Sequence, residues 1–252
     1  MLRRKHILLL LEWYDYRIHR GVAEVARENG WQLNCAKSSS HSEGILSNWK
    51  GDGCIALLNR PETLDYFRTH KIPLVDLGLG DHNLPVTRVV TDNDAIGRLA
   101  AEHFRDHGYK DVFALTAEGI KMYEERLQAF ITHMEADGGN VTVFDSAGRR
   151  ESKVMKELHN LALTRGRKVE ELSVGFFAFQ DTAAAEMISI CLKNNLRVPE
   201  NIAVLGVDND DLVNQGLSVQ LSSVDSDLEG LGRAAARALQ KKTGCKLGCS
   251  II

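Results

Sequence analysis

Residues 198–236 read VPENIAVLGVDNDDLVNQGLSVQLSSVDSDLEGLGRAAA, and the reading of this stretch decides the fold. Ile202 to Val207 is a short apolar run rich in β-branched residues and bounded by turn formers, the pattern of a fully buried strand. It ends in Asp208-Asn209-Asp210-Asp211. A second strand is expected over Val219 to Val224, followed by Asp225-Ser226-Asp227 and an amphipathic helix with Leu228, Leu231, Ala235 and Leu239 on one face. In open α/β sheets the carboxyl edge of the strands is where ligands bind. Two strand ends here deliver carboxylates, an amide and a hydroxyl to that edge. Such a lining suits a small polyhydroxylated molecule better than an apolar one.

Outward from this stretch, strands and helices alternate. Ile7 to Leu11 predicts a strand, and Ile18, Val22, Val25 and Ala26 mark a helix that ends at Gly30. Trp31 to Cys35, Cys54 to Leu58 and Ile72 to Val75 are further strand candidates, with Pro61 to Thr69 a helix between the last two. Asp92-Asn93 is a good capping pair for a helix carrying Ile96, Leu99, Ala100 and Phe104 and stopping at Gly108. The rhythm then restarts: strands at Asp111 to Leu115, Val141 to Phe144 and Val174 to Phe179, and helices around Leu127–Met134 and Glu151–Thr164. A last one has Ala184, Ala185, Ile188, Cys191 and Leu192 facing inward. This alternation implies parallel sheets with helices on both faces, in two doubly wound, Rossmann-like lobes.

Composition excludes several classes. The chain has 252 residues, 44% of them hydrophobic and 26% charged, ordinary globular values. A formal net charge of −3 leaves no electrostatic footprint for nucleic acid. The basic start MLRRKH and the apolar run from Ile7 meet Glu12 without a small-residue cleavage site, so the run reads as a strand and not a signal peptide. No apolar stretch approaches the roughly 20 residues of a membrane span. The cysteines are odd in number, five, and three lie inside apolar runs as small core residues; a reducing cytoplasm is expected. Gly78-Leu79-Gly80 lacks the third glycine of a dinucleotide fingerprint, and His103 and His107 lack the glutamate of a zinc protease. Cys245 and Cys249 have no second pair to complete a zinc site. No Ser or Cys sits in a nucleophile-elbow context, so no enzyme, metal or cofactor is expected.

The V-x-G-x-D strand (Val204 to Asp208) and the L-S-S-V strand (Leu221 to Val224) resemble those of the lactose-repressor type of periplasmic-binding-protein fold. Within it the chain is similar to the sensor part of the xylose-operon-regulator type of transcription factor, over Lys5 to roughly Lys242. The resemblance implies a type I periplasmic-binding-protein architecture with a first lobe of residues 1–107 plus 228–252 and a second of 108–227. The crossings then fall near His107–Tyr109 and Ser226–Leu228. It implies a sugar effector, D-xylose first, on which the two lobes close, and a homodimer. A free-standing sugar-binding protein of a transport system is the alternative. It also implies that DNA is read only through a helix-turn-helix module after the sensor, which this chain lacks. A final strand rich in Pro and Val would be expected where Thr243 to Cys249 stand, so a chain cut short or an interrupted reading frame is expected.

Candidate ligand contacts follow residue by residue. Arg126, in MYEERLQAF, matches the family's arginine that reaches from a helix start to sugar hydroxyls, for which a guanidinium offers five donors. Read alone, it is a solvated helix arginine pairing with Glu124 or Glu125. Asp208 matches the aspartate that accepts from sugar hydroxyls, and otherwise forms a turn with Asn209. Gln180-Asp181 stands where the family most often has Asn-Asp, an amide on the ligand and an aspartate capping the next helix. Tyr14-Asp15 matches a pair shared by xylose regulators. With Arg17, Tyr14 is a contact candidate, although aromatics there could simply cover the sheet edge. Ser226 matches a polar contact at the last crossing.

Overall fold

In the chain's computed structural model, residues 3–37, 49–57, 61–78, 86–117, 119–145 and 150–243 are described. The chain divides into two compact units, Met1–Thr91 with Asp227–Ile252, and Asp92–Ser226. The expected first boundary near His107–Tyr109 differs from this division by one helix, which groups with the second unit. The chain around Thr243 to Cys249 lies, from residue 244 onward, outside the described residues, as do Gly80, Cys245 and Cys249.

The first unit holds β1 (His6–Leu11), α1 (Tyr16–Glu28), β2 (Gln32–Lys37), β3 (Gly53–Leu57), α2 (Pro61–Thr69), β4 (Leu74–Asp76), β5 (Thr87–Arg88) and the last helix, α8 (Leu228–Lys242). Its five strands pair in the order β2-β1-β3-β4-β5, all parallel. Because side chains alternate across a strand, Ile7, Leu9 and Leu11 face Ile18, Val22, Ala235 and Leu239, while Leu8 and Leu10 face Cys54, Phe67 and Leu74. Both faces are covered, which is why HILLLL is apolar almost throughout. Helices α1 and α8 approach through glycines: a Cβ on Gly21 would lie 2.0 Å from the Glu229 carbonyl oxygen, and one on Gly232 would lie 2.3 Å from that of Ile18.

The second unit repeats the plan with α3 (Asn93–Asp106), β6 (Asp111–Thr116), α4 (Lys121–Ala136), β7 (Asn140–Asp145), α5 (Arg150–Thr164), β8 (Val174–Ala178), α6 (Asp181–Lys193), β9 (Ile202–Val207), α7 (Asp211–Gln215) and β10 (Ser222–Val224). The order is β10-β9-β8-β6-β7, again all parallel. One face, with Phe113, Phe176 and Val204, packs on α5 and α6 through Val154, Leu158, Met187 and Ile188. The other, with Val112, Phe177 and Leu205, packs on α3 and α4 through Phe104, Phe130 and Met134. This is why α3 belongs to the second unit. All of these connections put strand carboxyl ends, and the loops after them, on one edge.

Several expectations change in detail. The strand expected from Val219 begins only at Ser222. Leu99 and Leu192 are 44% and 43% exposed, and the inward positions are taken instead by Gly97, Ala101, Ala183 and Met187. Cys54 and Cys191 are buried, but Cys35 is exposed. The expected cap of α6 is corrected too: Gln180 occupies the N-cap position without a side-chain cap bond, and Asp181 is the first helical residue.

Candidate ligand-binding site

Arg126 lies in the second turn of α4 and is 1% exposed, the largest fully buried side chain among the described residues. It is not a solvated arginine. Glu124 instead accepts from the Gly119 N–H (3.0 Å), and Glu125 accepts from the Asn93 amide (3.2 Å). Arg126 Nη1 donates to the carbonyl oxygen of Phe179, just past the end of β8, and lies 3.9 Å from Asp208 Oδ1. Its Nε has no hydrogen-bond partner among the described residues. Burial pulls the guanidinium pKa down from its ordinary value, while Asp208, Tyr123 and Asp181 push it back up. A guanidinium nonetheless stays charged in proteins. A buried cation with an idle donor at the carboxyl edge of a parallel sheet is costly for stability alone.

Around it the second unit assembles the other candidates. Asp208 Oδ1 accepts from Ser226 Oγ at 2.8 Å, so two residues from the ends of β9 and β10 meet directly. Tyr123, one turn before Arg126, sits with its ring centroid 5.8 Å from the guanidinium and 4.5 Å from that of Phe179. Its hydroxyl donates to Gln180 Oε1 (2.9 Å), and burial, with Asp208 nearby, pushes its pKa up to about 12. Gln180 Nε2 in turn donates to Thr182 Oγ1 (2.6 Å). Asp181 is buried, and its two oxygens accept from Ser223 Oγ and from the Asp210 N–H, each at 2.6 Å.

On the first unit, Tyr14 and Arg17 flank the β1–α1 turn. Tyr14 is 47% exposed, and its hydroxyl is 3.0 Å from His19 Nδ1. Asp15 caps α1 by accepting from the Arg17 and Ile18 N–H groups, and it also binds the Arg17 guanidinium through both oxygens (3.2 and 2.7 Å). A carboxylate and arginine also meet at the end of β4. Fully buried Asp76 accepts from the Gly78 N–H at 2.9 Å and from Arg88 Nε at 3.3 Å.

Tyr123 and Ser223 join this cluster without having been singled out in the sequence. Tyr123 was detectable, because residues three apart share a helix face with Arg126. Among the described residues no group of three His, Cys, Asp or Glu is placed to hold a metal ion, and no helix is long and apolar enough to cross a membrane.

Two parallel five-stranded units with polar residues gathered at strand carboxyl ends define a ligand-binding α/β protein. The family model for a periplasmic binding protein-like domain matches residues 101–244, more than half of the chain, and the chain belongs to that family. It is similar to the xylose operon regulatory protein of Escherichia coli K12, 25% identical over 96% of this chain and 64% of that protein. The xylose operon regulatory protein of Haemophilus influenzae is 23% identical over 90% of this chain and 61% of that protein. The chain thus spans about three fifths of the curated relatives it matches. Among solved structures, the periplasmic binding protein/LacI transcriptional regulator of Alkaliphilus metalliredigens complexed with D-xylulofuranose superposes with a TM-score of 0.74. It is 19% identical and covers 95% of this chain and 91% of that one, a likeness of fold.

Proposed function

We propose that this chain is the effector-sensing part of a bacterial transcription regulator and that its effector is a neutral monosaccharide, with D-xylose the first choice. The observation that carries the reading is the buried Arg126 guanidinium beside Asp208 at the carboxyl edge of the second unit's sheet. A cation rich in donors and an acceptor-only carboxylate can together hold a hydroxyl that both donates and accepts. The nearby Asp208 and Asp181 carboxylates oppose an anionic ligand next to Arg126. Ser226 adds a hydroxyl and Gln180 an amide. Tyr14 and Arg17, beside the β1–α1 turn of the first unit, are the sugar contacts proposed there.

The relatives' names support the regulator reading and the choice of xylose, and the sugar in the Alkaliphilus complex supports the ligand class. A sugar that binds one of two conformations better shifts the population toward it, which is how such a domain reports its ligand. Isothermal calorimetry against a panel of neutral pentoses and hexoses tests the reading. One molecule per chain with a preference for one pentose is the expected result, and flat heats for every sugar at millimolar concentration would overturn it.

A further inference from the structure

We infer that Asp181 is a positioning residue, which acts through Asp208 by holding the Asp208–Asp210 turn in its conformation. The inference rests on the reading that Asp208 contacts the ligand, and it assigns Asp181 a role different from the cap or contact expected of it.

Asp208 and Asn209 have φ of 98° and 48°, left-handed backbone that residues with a Cβ adopt only when their surroundings hold them there. Three successive N–H groups supply the hold. Asp208 N–H donates to the Val224 carbonyl oxygen (2.9 Å), Asn209 N–H to Ser223 Oγ (2.9 Å) and Asp210 N–H to Asp181 Oδ2 (2.6 Å). The Ser223 hydroxyl in turn donates to Asp181 Oδ1 at 2.6 Å. Two of the three bonds therefore end on one carboxylate, one directly and one through the serine. Charged acceptors make the stronger bonds, and this one is buried.

The backbone is built around this carboxylate. A Cβ on Gly206 would stand 2.1 Å from Asp181 Oδ1, so β9 passes the carboxylate at a position that only glycine allows. Asp210, having given its N–H to Asp181, accepts from the Leu212 N–H at 2.9 Å and starts α7. Asp208 is thereby fixed so that its side chain meets Ser226 and faces Arg126.

The test is amide hydrogen exchange by NMR on the full chain, with D-xylose calorimetry and melting temperature alongside, for Asp181→Asn and Ser223→Ala. In Asp181→Asn the Asn209 and Asp210 amides should exchange at least tenfold faster, while the Val204 and Leu205 amides of β9 keep pace with the wild type. D-xylose affinity should fall about tenfold or more. Ser223→Ala, which keeps the Asp181 carboxylate, should speed the Asn209 amide alone, and it carries the test if Asp181→Asn does not fold. Uniform acceleration of all amides, or unchanged Asn209 and Asp210 exchange, would overturn the inference, as would lost affinity with the turn's exchange intact. If the wild type binds no sugar but the exchange pattern is as expected, the latch stands and the sugar reading falls.

Discussion

Arg126 Nη1 and Asp208 Oδ1 stand 3.9 Å apart, the arginine 1% exposed in α4 and the aspartate at the end of β9. At that distance the pair attracts without a direct hydrogen bond, because 3.9 Å is beyond hydrogen-bond reach. An oxygen placed between them could bond to both. The pair is thus set for a ligand hydroxyl more than for itself.

Replacing Arg126 separates binding from stability. Losing a charged donor from a buried site costs roughly 1.5–3 kcal/mol of ligand affinity. Arg126→Met keeps most of the packed volume and removes the cost of a buried charge, which offsets the lost attraction to the partly exposed Asp208, so its melting temperature should stay near the wild type's. Arg126→Ala should lose the same affinity and also melt lower, because the packed stem is gone. Calorimetry and thermal melts on both variants check this. A Met variant that melts well below the wild type would make Arg126 a structural residue.

Tyr123 links the site to pH. Its folded pKa of about 12 exceeds the ordinary value of 10, so the folded chain holds the phenolic proton more tightly than the unfolded one. The associated stability is whole below about pH 10 and is lost as pH rises toward 12, a change of roughly 2–3 kcal/mol. Urea midpoints between pH 9 and about 12 should fall more steeply for the wild type than for Tyr123→Phe. Parallel curves would show that Tyr123 is not the group responsible. Near neutral pH the variant should lose only about 1 kcal/mol, for the bond to Gln180.

Much of the fold was legible in local pattern. The runs ILLLL, GFFA and IAVLGV are apolar throughout because helices cover both sheet faces, and a six-residue apolar run between turn formers reads as little else. The edges of helical faces were not legible. Leu99 and Leu192 lie at the margin of their apolar arcs, and only the neighbouring helix decides whether a marginal position is covered. Arg126 is the clearest gap: among Glu124, Glu125 and Gln128 it looks solvated, and its burial comes from Phe179 and Asp208, 53 and 82 residues further along the chain. The cap expected of Asp181 failed for the same reason. As a cap it needs only its own helix, whereas its carboxylate turns to Asp210 and Ser223, on segments that β9 and β10 bring alongside.

Gly21 tests the packing of the first unit. Alanine would gain about 1 kcal/mol of helix propensity. Its Cβ, however, would stand 2.0 Å from a backbone oxygen of α8, which cannot swing aside as a side chain would. Overpacking of this kind typically costs about 1–3 kcal/mol, so Gly21→Ala should come out destabilised or at best even in urea unfolding. A clear gain in stability would mean that the two helices separate easily.

The most direct measurement is a calorimetric titration of D-xylose into the wild-type chain and into Asp208→Asn under the same conditions. A single site is expected on the wild type and affinity reduced about tenfold or more in the variant, since the amide replaces a charged acceptor that bonds more strongly. Equal binding by both chains, or heat from neither with any pentose or hexose, would contradict that expectation.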